Sequence, residues 1–326
     1  MARTVARPEP RRRVVWPGEA PPVGMHLGVA NGLMKAARRA RQIGCSALQI
    51  FSDNPTAWRR RPEPPANAPE FTAYLRREGI GPVAIHASYL INLAGSSEPF
   101  ASQSRAGLVY EMQRAPAYGA TLVNTHVGSH RGEGHAAGIR RIAESVAAVL
   151  GETDGPTRLV LENSSGGGDS LGSSIEELAE ILATVGAHQR LAFCLDTAHL
   201  WGAGYDISTG EGVASVLDRF DELVGLDRLA LIHLNDSKSE LGSLWDRHEH
   251  VGAGRIGPLG LGALLREPRL KAAGTAFVME TPGVDEGYDA VNMRRARLLW
   301  GGAETLPILP PRAFKLSRRS TRMGPG

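Results

Sequence analysis

Cysteine is scarce, with two in 326 residues, and that rules out a disulfide framework of the kind small secreted domains need. Cys45 and Cys194 both lie inside apolar runs, where they read as buried thiols in a reducing compartment. No stretch of about 18 apolar residues occurs, which argues against a membrane span, and no membrane partner is expected. The N-terminus is rich in Arg and Pro but has no apolar segment of the signal-peptide kind, which argues against secretion. A cytoplasmic location is therefore expected. No GxGxxG follows the first apolar segment, and no Walker lysine pattern occurs, so dinucleotide and nucleoside triphosphate binding have little support.

Charge is unevenly spread. The chain carries +3 overall; residues 1–22 hold five Arg against two Glu, and residues 312–326 hold five Lys or Arg and no acid, which leaves −5 on the body. An acidic body repels a nucleic-acid backbone. Bound divalent cations would cancel that charge, so the balance does not exclude a phosphate-rich substrate. Residues 1–22, with five Pro and the Arg11–Arg13 run, are expected to be a disordered basic leader. Residues 23–305 are expected to be one catalytic domain, and 306–326 a basic, flexible tail.

From Val23 onward one pattern recurs eight times: a short apolar strand, a polar residue or two at its end, a loop, and usually a helix. The strand segments are 24–29, 46–51, 83–87, 121–126, 158–163, 191–197, 229–236 and 275–281. Apolar strands without strict alternation are buried on both faces, as in parallel sheets covered by helices. Helices are expected over 174–186, where Ser174 and Glu177 form a capping box, and over 32–43, 104–118, 136–150 and 284–300. Eight such units predict a single (β/α)8 TIM barrel. A doubly wound open sheet is the main competitor.

The residues at the strand ends are His86, His126, Glu162, Asp196, His233 and Glu280. In a barrel these converge on one rim, the face where active sites lie. His26, at the end of the first strand, is read as a hydrogen-bonded terminus. The loops add His199, three residues after Asp196, and the Asp246-Arg247-His248 segment, whose outer two side chains point the same way if it is extended. Imidazoles and carboxylates without thiolate suit zinc or manganese in a hydrolytic site better than a closed structural site. Nine ligands exceed what one ion needs and suit three, if a carboxylate bridges. Trp58 beside Arg59, Arg60 and Arg61 is a candidate nucleic-acid contact, as is Arg247. Tyr89, three residues after His86, is placed to face a substrate cavity. The Ser164–Ser174 loop, rich in Gly and Ser, reads as a mobile rim loop.

Taken together, HASYLINLA (86–94), THVGSH (125–130), LENSSGG (161–167), FCLDTAHLWGAGYD (193–206), HLNDSKSELGSLWDRHEHVGAGRIG (233–257) and METPG (279–283) resemble the endonuclease IV family of zinc-dependent apurinic/apyrimidinic endonucleases. The resemblance runs from about Gly24 to about Leu299. It implies hydrolysis of the phosphodiester 5′ to abasic sites in double-stranded DNA, leaving 3′-hydroxyl and 5′-deoxyribose phosphate ends, and removal of blocking groups from 3′ ends. It also implies three Zn2+ per chain. His86 and His126 would hold the first, with Glu162 bridging to the second. Asp196, His233 and Glu280 would hold the second, and His199, Asp246 and His248 the third. Glu162 and Glu280 are the carboxylates expected to bear on catalysis. Tyr89 matches a tyrosine near the extruded abasic nucleotide. One stretch departs: family members carry a basic side chain ahead of the tryptophan, where this chain has Pro55-Thr56-Ala57. The rival expectation is a metal-dependent sugar isomerase or epimerase on the same barrel. A monomer is expected, because the open rim needs no partner for this chemistry.

Overall fold

A computed structural model of the chain describes residues 16–316. The eight predicted strands are all present and close on themselves. Along the chain they are β1 (Val23–His26), β2 (Ala47–Phe51), β3 (Val83–His86), β4 (Leu122–His126), β5 (Arg158–Glu162), β6 (Leu191–Asp196) and β7 (Leu229–His233). A two-stranded ribbon of β8 (Asp236–Ser237) and β9 (His248–Glu249) precedes the last barrel strand, β10 (Ala276–Met279). Every neighbouring pair in the barrel is parallel, and β1 closes the ring between β10 and β2. The open-sheet alternative is thereby excluded, and the chain is a single (β/α)8 barrel.

Helices separate the strands: α1 (Leu33–Ile43), α2 (Ala68–Glu78), α3 (Phe100–Arg114), α4 (His135–Gly151), α5 (Ile175–Val185), α6 (Thr197–Gly202), α7 (Gly210–Leu223), α8 (Gly257–Arg266), α9 (Pro268–Ala273) and α10 (Tyr288–Trp300). α5 shows how sequence sets a boundary. Ser174 Oγ accepts from Glu177 N and Glu177 reaches back to Ser174 N, while Gly186 ends the helix at a left-handed φ of 87°; both devices satisfy backbone groups that a helix end leaves unpaired. The shorter α6 begins at Asp196, whose carboxylate accepts from Ala198 N (2.7 Å) and His199 N (3.1 Å).

The apolar residues fall into two sets. The larger lies between strands and helices. The smaller fills the barrel interior and consists mostly of short side chains: Ala47, Ala84, Ala192, Ala230 and Ala276 with Leu122, Val160, Cys194, Leu231 and Val278. Side chains alternate along a strand with period two. Gln49 therefore stands above Ala47, His86 above Ala84, Asn124 above Leu122, Glu162 above Val160 and Asp196 above Cys194. The same alternation that fills the interior delivers the polar side chains to its upper mouth.

Between β7 and α8 the chain makes an excursion, residues 236–256, that is closed at its own base. The Asp236 carboxylate accepts from Gly254 N (2.9 Å), Ile256 N (2.9 Å) and Gly257 N (3.2 Å), so the end of the excursion is tied to its beginning. Residues 1–15 and 317–326, which carry most of the basic leader and tail, lie outside the described residues. The inner parts of both segments are packed. Trp16 Nε1 donates to Gly44 O at 2.9 Å, and Ala313 is buried, its carbonyl 3.2 Å from His250 Nε2. The boundaries expected at 22 and 306 therefore fall inside packed structure, because an indole and an alanine each find an apolar seat on the barrel. Among the described residues no helix is long and apolar enough to cross a membrane.

Candidate metal centre

All nine residues singled out as ligands converge on the barrel mouth, and Glu162 lies at their middle. Its Oε2 is 3.6 Å from His86 Nε2 and 4.0 Å from His126 Nε2, while Oε1 is 3.0 Å from His233 Nδ1 and 3.5 Å from His199 Nδ1. Among the described residues, three groups made of imidazoles and carboxylates alone have ligand atoms within 4.8 Å of one another: His86, His126 and Glu162; Glu162, Asp196, His233 and Glu280; and Asp196, His199 and His248; a fourth joins Cys194 to Glu162 and His233. Asp246 joins the third through His199 Nε2 (3.3 Å) and His248 Nε2 (3.0 Å). Glu162 and Asp196 each belong to two groups, the position of a bridging carboxylate.

Ring orientation decides which nitrogen of each histidine is free. His86 Nδ1 donates to Ala87 O (2.8 Å), His199 Nδ1 to Asn163 O (2.8 Å) and His248 Nδ1 to Glu280 O (3.1 Å), so each turns Nε2 into the centre. His233 is reversed: its Nε2 donates to Gln49 Oε1 (3.1 Å), leaving Nδ1 to face Glu162, Asp196 and Glu280. His26, expected to be a hydrogen-bonded terminus, donates to Glu280 Oε1 at 2.8 Å. The carboxylates are held as firmly. Asn124 Nδ2 donates to Glu162 (2.6 Å), Asn235 Nδ2 to Asp196 (2.6 Å) and Gln49 Nε2 to Glu280 (2.6 Å).

The electrostatics are those of interlocked opposite charges. Burial alone would raise the Glu162 carboxyl, but His233 and His126 hold it well below the usual carboxylate range. Burial would likewise lower His199, yet Asp196 and Asp246 hold it well above its ordinary value. His248 is carried up to about 10: burial opposes this, and Asp246 and Asp196 outweigh it.

The donor set fits divalent metal ions. It contains imidazole nitrogens and carboxylate oxygens in three overlapping groups, and each histidine nitrogen not turned to the centre is held by a protein oxygen in four of five cases. In addition, Asp246 Oδ1 and His248 Nε2 are buried without a hydrogen-bond partner, although they lie 3.0 Å apart. Buried polar atoms are costly to leave unpaired, and a cation between them removes the cost. Cys194 comes close to His233 and Glu162, but burial pushes its thiol up to about 12, so it stays neutral beneath the ligand layer.

Beside the cluster lies a cavity of about 620 Å³, with His126, His199 and Asp246 on its floor and Tyr89 and Trp58 on its wall. The arginine triplet is split. Arg60 Nη1 donates to Asn54 O and Ala57 O (both 3.0 Å), and Arg61 Nη2 donates to Ser52 O (2.7 Å) while its Nε is 3.3 Å from Asp53. These two guanidinium groups brace their own loop, so of the basic triplet expected at DNA only Arg59 is exposed and without a bonded partner among the described residues. Arg247 is exposed and stacks on Trp245.

Gln49, Asn124, Asn163 and Asn235 went unrecognised in the sequence. Their signal is present: a single amide inside an otherwise apolar strand end, as in ALQIF and LVNTH. Replacing Gln49 by Ala should weaken metal binding by about 10- to 100-fold, the usual cost of removing a group that orients ligands. Competition with a chromophoric chelator measures this, and unchanged affinity would show that Gln49 does not set the His233 tautomer.

A family model described as a xylose isomerase-like TIM barrel matches residues 37–298. A protein of Halothermothrix orenii described as "Probable endonuclease 4" is 39% identical over 276 residues, covering 84% of this chain and 99% of that one. A protein of the same description from Cenarchaeum symbiosum is 39% identical over 282 residues, 86% of this chain and 99% of that one. Among solved structures, endonuclease IV of Thermus thermophilus superposes with a TM-score of 0.76 at 37% identity, covering 87% of this chain and all of that one. D-Psicose 3-epimerase of Clostridium cellulolyticum superposes at 0.60 with 16% identity, covering 86% of this chain and 97% of that one, a likeness of fold alone.

Proposed function

The chain belongs to the endonuclease IV family, and on that premise we propose that it hydrolyses the phosphodiester 5′ to abasic sites in duplex DNA. The products would be a 3′-hydroxyl and a 5′-deoxyribose phosphate, and the same centre would clear blocked 3′ ends. The cofactor we propose is three zinc ions per chain. One observation carries the reading: nine candidate ligand side chains form three groups around two shared carboxylates, and three of them, His126, His199 and Asp246, line an open cavity. A sugar isomerase needs no third group, and His199, Asp246 and His248 therefore speak against that alternative.

Divalent ions supply an activated water and offset charge on phosphate oxygens. The chain's own residues do the rest. Glu162, clamped by Asn124, fixes the spacing between the His86–His126 group and the His233 group. Glu280, clamped by Gln49 and the Asn235 side chain at its backbone N–H (2.8 Å), is held at the rim with one oxygen toward the centre, where it can orient the attacking water. Asp196 links the second group to the third and fixes α6, so that His199 cannot move independently of it. Tyr89 and Trp58 wall the cavity with apolar surface and receive an abasic sugar, which has no base to unstack and is cheaply extruded. Arg59 and Arg247 are free to meet phosphates, each contact adding about 0.9 to the salt dependence of binding.

A duplex carrying one tetrahydrofuran abasic analogue tests the proposal, because that analogue cannot undergo β-elimination. Cleavage on its 5′ side, leaving an end that a polymerase extends, is the expected result. A folded, metal-loaded protein that leaves this duplex intact and interconverts ketoses would overturn it.

A further inference from the structure

Soluble proteins rarely keep large apolar side chains in the open beside a charged cluster, and clustered exposure of that kind marks a contact surface. The excursion between β7 and α8 does so at Leu241, Leu244 and Trp245, which are 42%, 49% and 57% exposed. Trp245 directly precedes Asp246, whose carboxylate faces His199 and His248, so the indole sits one residue from the metal centre. The Arg247 guanidinium lies 4.6 Å from the indole centroid on one side, and the ring remains more than half exposed.

The loop that carries this indole is held rigidly. Gly242 N donates to Trp201 O (3.0 Å), Leu244 N to Gly202 O (3.0 Å), and Lys238 N to Arg247 O (2.9 Å). Trp201 Nε1 donates to Ser239 O (2.9 Å) from below. Leu244 takes a left-handed backbone, φ 62°, uncommon for a leucine. Its side chain lies over the β5 loop, where a methyl group on Gly166 would come within 3.0 Å of Leu244 Cδ2. Backbone strain and exposed apolar surface both cost stability, and neither serves the core.

We infer that Trp245, backed by Arg247 and seated beside Leu244, is a stacking platform for a nucleobase next to the scissile phosphate. This rests on the endonuclease reading and adds a residue that reads the flank of the lesion. The chemistry favours a base over an apolar protein surface. Arg247 has no carboxylate partner among the described residues, which suits a polyanion. A planar π face offered flat is what every base can use, whatever its identity. The β2–α2 loop, in which Arg60 and Arg61 are engaged internally, leaves this work to another part of the rim. The contact would therefore be sequence-tolerant, governing how tightly damaged duplex is held rather than the rate of the bond cleavage itself.

The experiment compares metal-loaded wild type, Trp245→Ala and Trp245→Phe on the tetrahydrofuran duplex. Trp245→Ala is expected to raise KM by roughly 5- to 100-fold, the range that loss of base–aromatic stacking produces, with kcat little changed and Trp245→Phe largely restored. A second readout uses 2-aminopurine beside the analogue in a Glu162→Ala background, which keeps the duplex whole. Binding should quench its emission, and adding Trp245→Ala should abolish that response. Wild-type cleavage with equal KM and equal quenching in Trp245→Ala overturns this inference alone. Failure of the wild type to bind or cut the duplex overturns the endonuclease reading with it. A wild type that sediments as a dimer and a Trp245→Ala protein that sediments as a monomer would assign the patch to self-association instead.

Discussion

Glu162→Ala should lose about 10³-fold or more in turnover of an abasic duplex while still folding. The magnitude follows from position. Glu162 alone lies within reach of both the His86–His126 pair and His233, so its removal opens two groups at once. Metal-ion assistance is worth several kcal/mol of transition-state stabilisation, and each 1.36 kcal/mol is tenfold in rate. The barrel itself should tolerate the change. Glu162 stands on the interior face above Val160, where the layer beneath is apolar and already closed, and removing the carboxylate relieves a buried charge. Circular dichroism would report the fold, metal analysis the lost ions, and gel assays the rate. A variant that keeps its metals and cuts within tenfold of wild type would refute the bridging role.

Stripping the metals should abolish cleavage and lower the thermal midpoint by roughly 10 °C, since a ligand at a thousandfold above its Kd contributes about 4 kcal/mol. The metal-free protein should also show a pH signature. His248, held up to about 10, and His199, held well above its ordinary value, are protonated in the folded metal-free chain at neutral pH. For such groups the stabilisation is complete below the unfolded imidazole value of about 6.5 and is lost as pH rises through the folded value. Asp246, which burial would raise but His248 and His199 hold well below the usual range, behaves oppositely: its stabilisation is present above about 4 and is lost as pH falls. Metal binding must displace the histidine protons. Apparent affinity should therefore climb between about pH 6 and 9, with protons released on binding. Calorimetry in two buffers of different ionisation heat counts them; an affinity flat across that range would show that these imidazoles are already neutral.

The fold was legible because its signal is repetitive: eight apolar strand ends, each followed by a polar residue, leave few architectures open. The candidate ligands were legible for the same reason, since a charged residue ending a buried strand has few bland explanations. The helices were less so. α2, α6, α7, α8 and α9 were not foreseen; none of them opens with the capping box that marks α5. The orienting amides were missed for a different cause. Gln49 looks ordinary until β10 closes against β1 and brings Glu280 and His233 to it across more than 180 residues of chain. The arginine triplet shows the reverse case. Three adjacent basic residues read as one patch, yet a loop that must satisfy its own carbonyls enlisted Arg60 and Arg61 for that purpose.

The staple at Asp236 gives the excursion it closes the character of a module. Its two ends are joined to each other by one carboxylate and three amides, so the loop is closed where β7 ends and α8 begins. Two of the third group's residues, Asp246 and His248, are supplied from inside this closed loop, whereas the first two groups are drawn from the strand ends and from α6's origin at Asp196. A lineage could therefore lengthen, shorten or re-letter the loop without disturbing the barrel's own ring of ligands. The third group is thus the part of the candidate centre most open to evolutionary revision, and Leu244, Trp245 and Arg247 are carried on the same loop.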